Sequence, residues 1–411
     1  MNNVNKIKLM FSSLSVFKGI LNRSIPKAFY RLLLSLDKAP DEFLNAYGGL
    51  CSLLYERNCA DEFAFAMTET ALFDDNCFAR ASAAGKQNLM PDSVLEAVKN
   101  DCNAILAAAE LSSDEIIKSY AYYDEIADIA EFLPRWKNGK FAQCFKDFDG
   151  SLDRLSKYYK ENGCGMFARY KAFIWRGGDI QPVIHPDSID MDSFTGYELQ
   201  REKIVSNTVS FIKGKSCNNC LLYGDKGTGK SSTVKAIANE FCKDGLRIVE
   251  MPKENLKDFP VLVDKITALP LKFIIFIDDL SFQSQDESYT ALKAVLEGGL
   301  AARPDNALIY ATSNRRHLIK EKLSDRSYAV DDVNMRDNMQ ESLSLSDRFG
   351  LSVCYSIPSK KEFLEIVCSL AEEKGIDISL EELTEGAERF ALARGGRSPR
   401  CAKQYIESLF Y

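Results

Sequence analysis

Gly224-Asp225-Lys226-Gly227-Thr228-Gly229-Lys230-Ser231 decides the fold of the chain that carries it. The octet fits the pattern G-x-x-x-x-G-K-[ST]. Its glycines let consecutive backbone N–H groups turn inward onto phosphate oxygens, a conformation that a Cβ would obstruct. A helix opening at Lys230 presents the positive end of its dipole to the same anion. Lys230 supplies a mobile charge for the β- and γ-phosphates of a nucleotide, and the Ser231 hydroxyl is a ligand for Mg2+. Asp225, Lys226, Thr228 and Ser232 complete the candidate nucleotide contacts. An ordinary glycine-rich turn would need neither flank. Here the apolar Cys220–Tyr223 precedes the octet and a helix over 230–242 is expected after it.

Outward from the octet the chain alternates. Strand-like segments at Leu246–Met251, Phe273–Ile277, Ala307–Ala311 and Leu351–Ile357 are interleaved with helical segments at Glu254–Ile266 and Asp286–Leu300. Continuous apolar strands between helices predict an α/β fold, a parallel sheet covered on both faces. Two strands end in residues suited to nucleotide chemistry. Phe273–Ile277 runs into Asp278 and Asp279; the first suits holding Mg2+ through its waters, the second orienting an attacking water. Acids that merely cap the next helix are the bland alternative. The next strand ends in Ala311-Thr312-Ser313-Asn314. Asn314 either hydrogen-bonds the γ-phosphate or the water, or caps a helix starting near Arg315. After Pro358 only helices are expected, forming a small lid.

Residues 1–160 have a different texture. Apolar residues recur at helical spacing, as in Phe29, Leu32, Leu33 and Leu36. Helix openings stand at Pro26, at Pro40-Asp41-Glu42 and at Ser112-Ser113-Asp114-Glu115. Leu9–Phe17 and Phe141–Tyr159 are expected as amphipathic helices, and Phe63, Phe65 and Met67 as core. Residues 161–195 read as a connector with a strand at Phe167–Trp175, punctuated by Gly177-Gly178, Pro182 and Pro186. A helix over Gly196–Phe211 leads into the second half. The expected domains are therefore 1–160, 161–195, 196–357 and 358–411.

At 411 residues the chain is long enough for two or three such domains. Its 59 acidic and 52 basic residues leave a net charge of −7, so no global field draws nucleic acid. No stretch approaches the roughly 20 apolar residues that a membrane span requires. The N-terminal run holds three serines and no small-residue cleavage site, so it is not read as a signal peptide, and a cytoplasmic protein is expected. Twelve scattered cysteines fit a reducing interior. Cys217 and Cys220 have C-x-x-C spacing, but no second ligand pair follows them and the histidines are His185 and His317.

A strand, a phosphate loop and a helix, then a strand ending in two acids, a strand ending in Asn, and Ser346-Asp347-Arg348-Phe349-Gly350: this order of parts resembles the AAA+ ATPases over about residues 190–411. The strings FIIFIDDLSF, LEGGL, YATSNRRHLI and SLSDRFGL are similar to those of a bacterial family of AAA+ ATP-binding proteins, domain of unknown function 815. The resemblance implies a five-stranded parallel sheet in order 5-1-4-3-2 with a helical lid. It also implies ATP held between lid and sheet, commonly at an interface between subunits of a homo-oligomer. By the same resemblance Arg348 is an arginine finger offered to the γ-phosphate of the adjacent subunit; a salt bridge to Asp347 is the alternative. Arg400 takes the place of the lid arginine that senses nucleotide, with Arg397 a close competitor, and Tyr197 lies where such proteins hold the adenine.

Three features depart from that pattern. The usual second acid is glutamate, and Asp279 is one methylene shorter, so hydrolysis is expected to be slow or to need an activator. From Leu246 to Glu297 there is no glycine, and Phe259 is followed by Pro260, so the aromatic–apolar–Gly loop of polypeptide-threading rings is missing. The basic cluster Arg315-Arg316-His317 has no aromatic interleaving and is read as an intramolecular or interface contact rather than a nucleic-acid patch. The function expected is an ATPase that uses hydrolysis to remodel or assemble a protein or nucleoprotein target, read by the helical N-terminal domain. The alternative is a slow ATP-dependent switch or loader that assembles an oligomer. A scaffold would have little use for Arg348.

Overall fold

Pro40 opens the helix Pro40–Glu56, and its inward side chains Phe43, Tyr47, Leu50 and Leu54 lie in a core shared with Phe29, Phe63 and Trp136. The rings pack against one another, Phe63 to Trp136 at 5.4 Å between centroids and Phe43 to Tyr120 stacked at 4.1 Å. Burying each such side chain contributes roughly 1.5–3 kcal/mol. In this computed structural model, which describes residues 3–146, 148–282, 287–297, 304–315 and 345–410, the chain forms two compact units. They are Met1–Arg169 and Tyr170–Tyr411.

The described residues of the first unit form helices joined by turns and irregular segments, with no strand among them. Ser112 and Glu115 form a reciprocal cap at the helix Ser113–Lys118. Three expectations are corrected. The first helix is Asn3–Ser12, because Ser12 and Ser13 donate from their hydroxyls to the carbonyls of Lys8 and Met10 and the chain turns away there. Phe141–Tyr159 is not one helix: a turn at Asp149-Gly150-Ser151, with Gly150 at φ +88°, delays it to Asp153–Asn162. Phe65 is 38% exposed, because the helix Phe63–Leu72 turns Phe63, Met67 and Ala71 inward and leaves position 65 on the opposite face.

The second unit is built on one sheet. Its strands are β1 Ala172–Arg176, β2 Asp179–Pro182, β3 Cys220–Gly224, β4 Leu246–Glu250, β5 Lys272–Ile277, β6 Ala307–Ser313 and β7 Leu351–Tyr355. Their order is β2-β1-β4-β5-β6-β3-β7. The expected five-stranded sheet in order 5-1-4-3-2 is thus corrected: the sheet has seven strands, and β1 and β2 extend it beyond β4. β1 runs parallel to β4, with Ala172 opposite Ile248, and returns as β2 through Gly177-Gly178, whose φ values of +61° and +76° suit a tight hairpin. Residues 161–195 therefore contribute two strands to the sheet. Phe167–Trp175 divides into a short helix, Gly165–Arg169, and β1, an ambiguity that apolar content cannot resolve.

β3 lies between β6 and β7, and all of these pairings are parallel. β5 and β6 are buried along almost their whole length, as strands covered on both faces must be. Crossovers between parallel strands bring the ends of β3, β5, β6 and β7 to one edge, where open α/β sheets hold ligands. After β7 come three helices, Lys360–Lys374, Leu380–Ala393 and Pro399–Ser408, each opened by a serine whose hydroxyl accepts a backbone N–H. They close on a small core of their own around Phe363, Val367, Ala387 and Ala402. Among the described residues no helix is long and apolar enough to cross a membrane.

Candidate functional site

The octet occupies the turn between β3 and the helix Lys230–Glu240. Gly224 holds φ +131°, and a Cβ there would stand 2.1 Å from the Tyr355 carbonyl oxygen, so the loop can pass β7 only as glycine. Gly227, at φ +77°, faces the last lid helix: a Cβ would lie 3.1 Å from both Arg400 Cβ and Ser398 Oγ. Gly229 precedes the helix at φ +91°. Thr228 is buried and donates from Oγ1 to the Asp225 carbonyl at 2.8 Å. Lys230 is buried too; its Nζ donates to the carbonyls of Gly224 at 2.9 Å and Asp225 at 2.6 Å. Burial draws its ammonium below the usual lysine range, and the charges of Asp225, Asp279 and Asp278 oppose that shift.

β5 ends beside this helix. Ser231 Oγ donates to Asp278 Oδ1 at 2.6 Å. Thr312, near the end of β6, donates from Oγ1 to the same carboxylate and accepts the Asp279 N–H at 2.9 Å. Asp279 has φ +50°, a left-handed conformation that Asp and Asn tolerate better than most residues carrying a Cβ, and its Oδ1 accepts from Asn314 Nδ2 at 2.5 Å. Asn314 therefore faces the second acid directly. The Ser231–Asp278 donor set fits Mg2+: two hard oxygens side by side at the edge of a phosphate loop match a cation that keeps most of its shell for water and phosphate oxygens. Among the described residues no cluster of three His, Cys, Asp or Glu offers a competing all-protein metal site.

A cleft of about 870 Å³ runs from these residues to the lid. Gly227, Lys230, Ser231, Asp278, Asn314 and Arg400 line its polar side. Ser232 and Lys226 also border it, as does Tyr197. The Tyr197 ring is stacked on Tyr355 at 5.1 Å, and its hydroxyl donates to the Ser356 carbonyl at 2.6 Å. Arg397 points elsewhere: it makes a two-bond pair with Glu388 at 2.8 and 2.7 Å, which holds the Glu388 carboxyl below its usual range. Arg348 is exposed and is not among the described residues that line the cleft. Of the basic cluster, Arg315 is described, while Arg316 and His317 lie outside the described residues, as do parts of LEGGL and YATSNRRHLI. Neither Cys217 nor Cys220 is in a disulfide, and Cys220 is buried in β3.

Sequence reasoning missed Thr312, Tyr355 and Ser398. Thr312 stands within the quoted Ala311–Asn314 segment, and its role follows from facing both acids across the β5–β6 pairing. Tyr355 and Ser398 gave no local signal; both matter by what they touch on the octet.

The profile of the family described as "Protein of unknown function (DUF815)" matches residues 168–410, more than half of the chain. The chain belongs to this family. The DUF815 match begins two residues before the second unit and runs nearly to its end, so membership speaks for that unit. The chain is also similar to the mouse ATPase family AAA domain-containing protein 2, 24% identical over 238 residues. That match takes in 50% of this chain and 21% of the mouse protein, so this DUF815 chain spans about a fifth of its relative's length. Among solved structures, the Holliday junction branch migration motor RuvB of Thermotoga maritima is 15% identical, with a TM-score of 0.32 over 54% of this chain and 72% of that one. AMPPCP-bound DnaA from Aquifex aeolicus is 16% identical, with a TM-score of 0.38 over 56% and 67%.

Proposed function

We propose that this DUF815 member binds ATP with Mg2+ in the cleft of its second unit and hydrolyses it. One observation carries this reading: Lys230, the Ser231–Asp278 contact at 2.6 Å and the Asn314–Asp279 contact at 2.5 Å meet at one edge of the cleft. Those groups come from three strand ends, and a structural role alone gives no reason to gather them there.

In the proposed reaction a water oxygen bonds to the γ-phosphorus while the bond to the β–γ bridging oxygen breaks. ADP leaves with the electron pair. Asp279 orients the water and accepts its proton, help of a kind worth about 10²–10⁴ in rate. Lys230 neutralises the β- and γ-oxygens, and Arg400 reaches the cleft from the lid. Ser231 and Asp278 would hold Mg2+, which would offset charge on the phosphate oxygens when bound. Arg348, exposed and not among the described residues lining its own cleft, suits a finger offered to a second copy, a contribution of about 10³–10⁵ where it operates in trans. The helical first unit would then select the protein or nucleoprotein target, and hydrolysis would drive its remodelling or assembly.

A slower switch is the second reading, and the Asn314–Asp279 hydrogen bond favours it. A carboxylate already engaged by an amide, on an arm one methylene short, is a weak general base until that bond is exchanged for water. ATP turnover per subunit across a wide range of protein concentration tests both readings, with Lys230→Ala as the blank. Turnover that rises with concentration and collapses in Arg348→Ala supports a shared, working ATPase. Turnover at the blank level with ATP still bound supports the switch. Failure to bind ATP at all overturns both.

A further inference from the structure

The phosphate loop touches the lid's entry and the start of its last helix. At the lid's entry, Asp225 N donates to the Tyr355 carbonyl at 2.9 Å, and Gly224 packs against the same carbonyl. Asp225 Oδ2 then accepts the N–H of Ile357 at 3.0 Å, two residues beyond the end of β7. At the start of the lid's last helix, Arg400 N donates to the Gly227 carbonyl at 3.1 Å. Tyr197 secures the entry from the other side through Ser356. The segment Tyr355–Pro358, where the sheet hands over to the lid, is thus gripped by loop residues three positions or fewer from those that would cradle phosphate.

We propose that the Asp225 side chain is a positioning residue rather than a phosphate contact: it latches the lid's entry segment to the phosphate loop and so sets the lid for nucleotide binding. A carboxylate is an unsuitable phosphate ligand, since like charges repel at contact distance. A backbone N–H at the hinge is a suitable partner, because a charge-assisted hydrogen bond is among the stronger polar contacts available at a surface. The latch also has a mechanical consequence. Ile366 and Leu370 of the first lid helix form a wall of the cleft, and their helix begins three residues after Ile357. Fixing the Ile357 amide fixes where that wall starts. With Arg400 N, at the start of the last lid helix, bound to Gly227, loop and lid move together, and ordering one by phosphate orders the other.

Asp225 also faces Lys230 electrostatically, favouring its charged form. The two roles separate by substitution. Asp225→Asn keeps an oxygen that can accept from Ile357 and removes the charge; Asp225→Ala removes both. The hydrogen bond stands apart from the ATPase reading, whereas its effect on nucleotide affinity rests on that reading.

The experiment is backbone amide exchange at Ile357 in the full-length chain, beside ATP affinity, for wild type, Asp225→Asn and Asp225→Ala. Both variants change an exposed loop side chain, so folding is expected to persist and is checked by circular dichroism. The latch predicts exchange at Ile357 faster by about tenfold in Asp225→Ala and within about threefold of wild type in Asp225→Asn. It predicts the same ranking for ATP affinity. Unchanged exchange in Asp225→Ala overturns the latch. Equal losses of ATP affinity in the two variants, with exchange perturbed in Asp225→Ala alone, overturn its role in binding and assign the loss to the charge beside Lys230. Wild-type protein that binds no ATP sinks the nucleotide reading while leaving the exchange result to decide the latch.

Discussion

Asn314 donates from Nδ2 to Asp279 Oδ1 at 2.5 Å, joining the ends of β6 and β5 across the mouth of the cleft. The contact places the polar amide that would face a γ-phosphate directly against the acid that would orient water. If Asn314 positions Asp279 and that water, Asn314→Ala should lower kcat by about 10- to 100-fold and leave ATP affinity within about threefold. If the bond restrains a slow switch, the same variant turns over ATP faster. Single-turnover hydrolysis beside equilibrium ATP binding reads the two apart.

Asp279→Glu restores the longer arm. Under the switch reading its kcat rises by about tenfold or more, since one methylene changes the distance to an attacking water by more than an ångström. Under the ATPase reading the rate changes little. Steady-state phosphate release at saturating ATP checks it.

Lys230 carries a pH dependence with a definite sign. Burial lowers its folded-state pKa below that of an ordinary lysine, so the ammonium begins to lose its proton at a pH below the usual one. Phosphate binding needs the charged form, so ATP affinity should fall as pH rises through that lowered value. Lys230→Arg stays protonated throughout and should show weaker affinity with no such fall. Binding titrations from neutral pH upward, done for both proteins, give the comparison.

Arg397 and Arg400 lie three residues apart and should behave differently. Arg397 is committed to Glu388, while Arg400 borders the cleft beside Gly227. Arg400→Ala should weaken ATP binding by about tenfold, the loss of one charge-assisted contact. Arg397→Ala should leave it within about twofold and perturb the lid instead. Calorimetric titration of both variants with ATP decides which arginine serves the nucleotide.

Gly224→Ala tests the packing beneath the loop. A methyl placed 2.1 Å from the Tyr355 carbonyl, at φ +131°, forces β3 and β7 apart. The expected cost is about 3 kcal/mol or more. The readout is a lower denaturant midpoint, with loss of ATP binding in parallel.

The sequence by itself determined the octet, the acids after β5, the asparagine after β6 and the alternation of strand and helix. Each of these is a local pattern: a glycine that must reach φ above zero, or an apolar run that must be buried on both faces. It could not determine that Ala172–Pro182 adds two strands beside β4, because strand pairing is a choice among distant edges that local pattern leaves open. Nor could it tell Arg397 from Arg400, since helix phase and the position of Glu388 decide which guanidinium is already engaged. The Ser231–Asp278 contact spans 47 residues, and the Asp225–Ile357 contact spans 132. Spacing along the chain carries no information on such pairs. Only the parallel sheet, by bringing the ends of β3, β5, β6 and β7 to one edge, brings those side chains within hydrogen-bond reach.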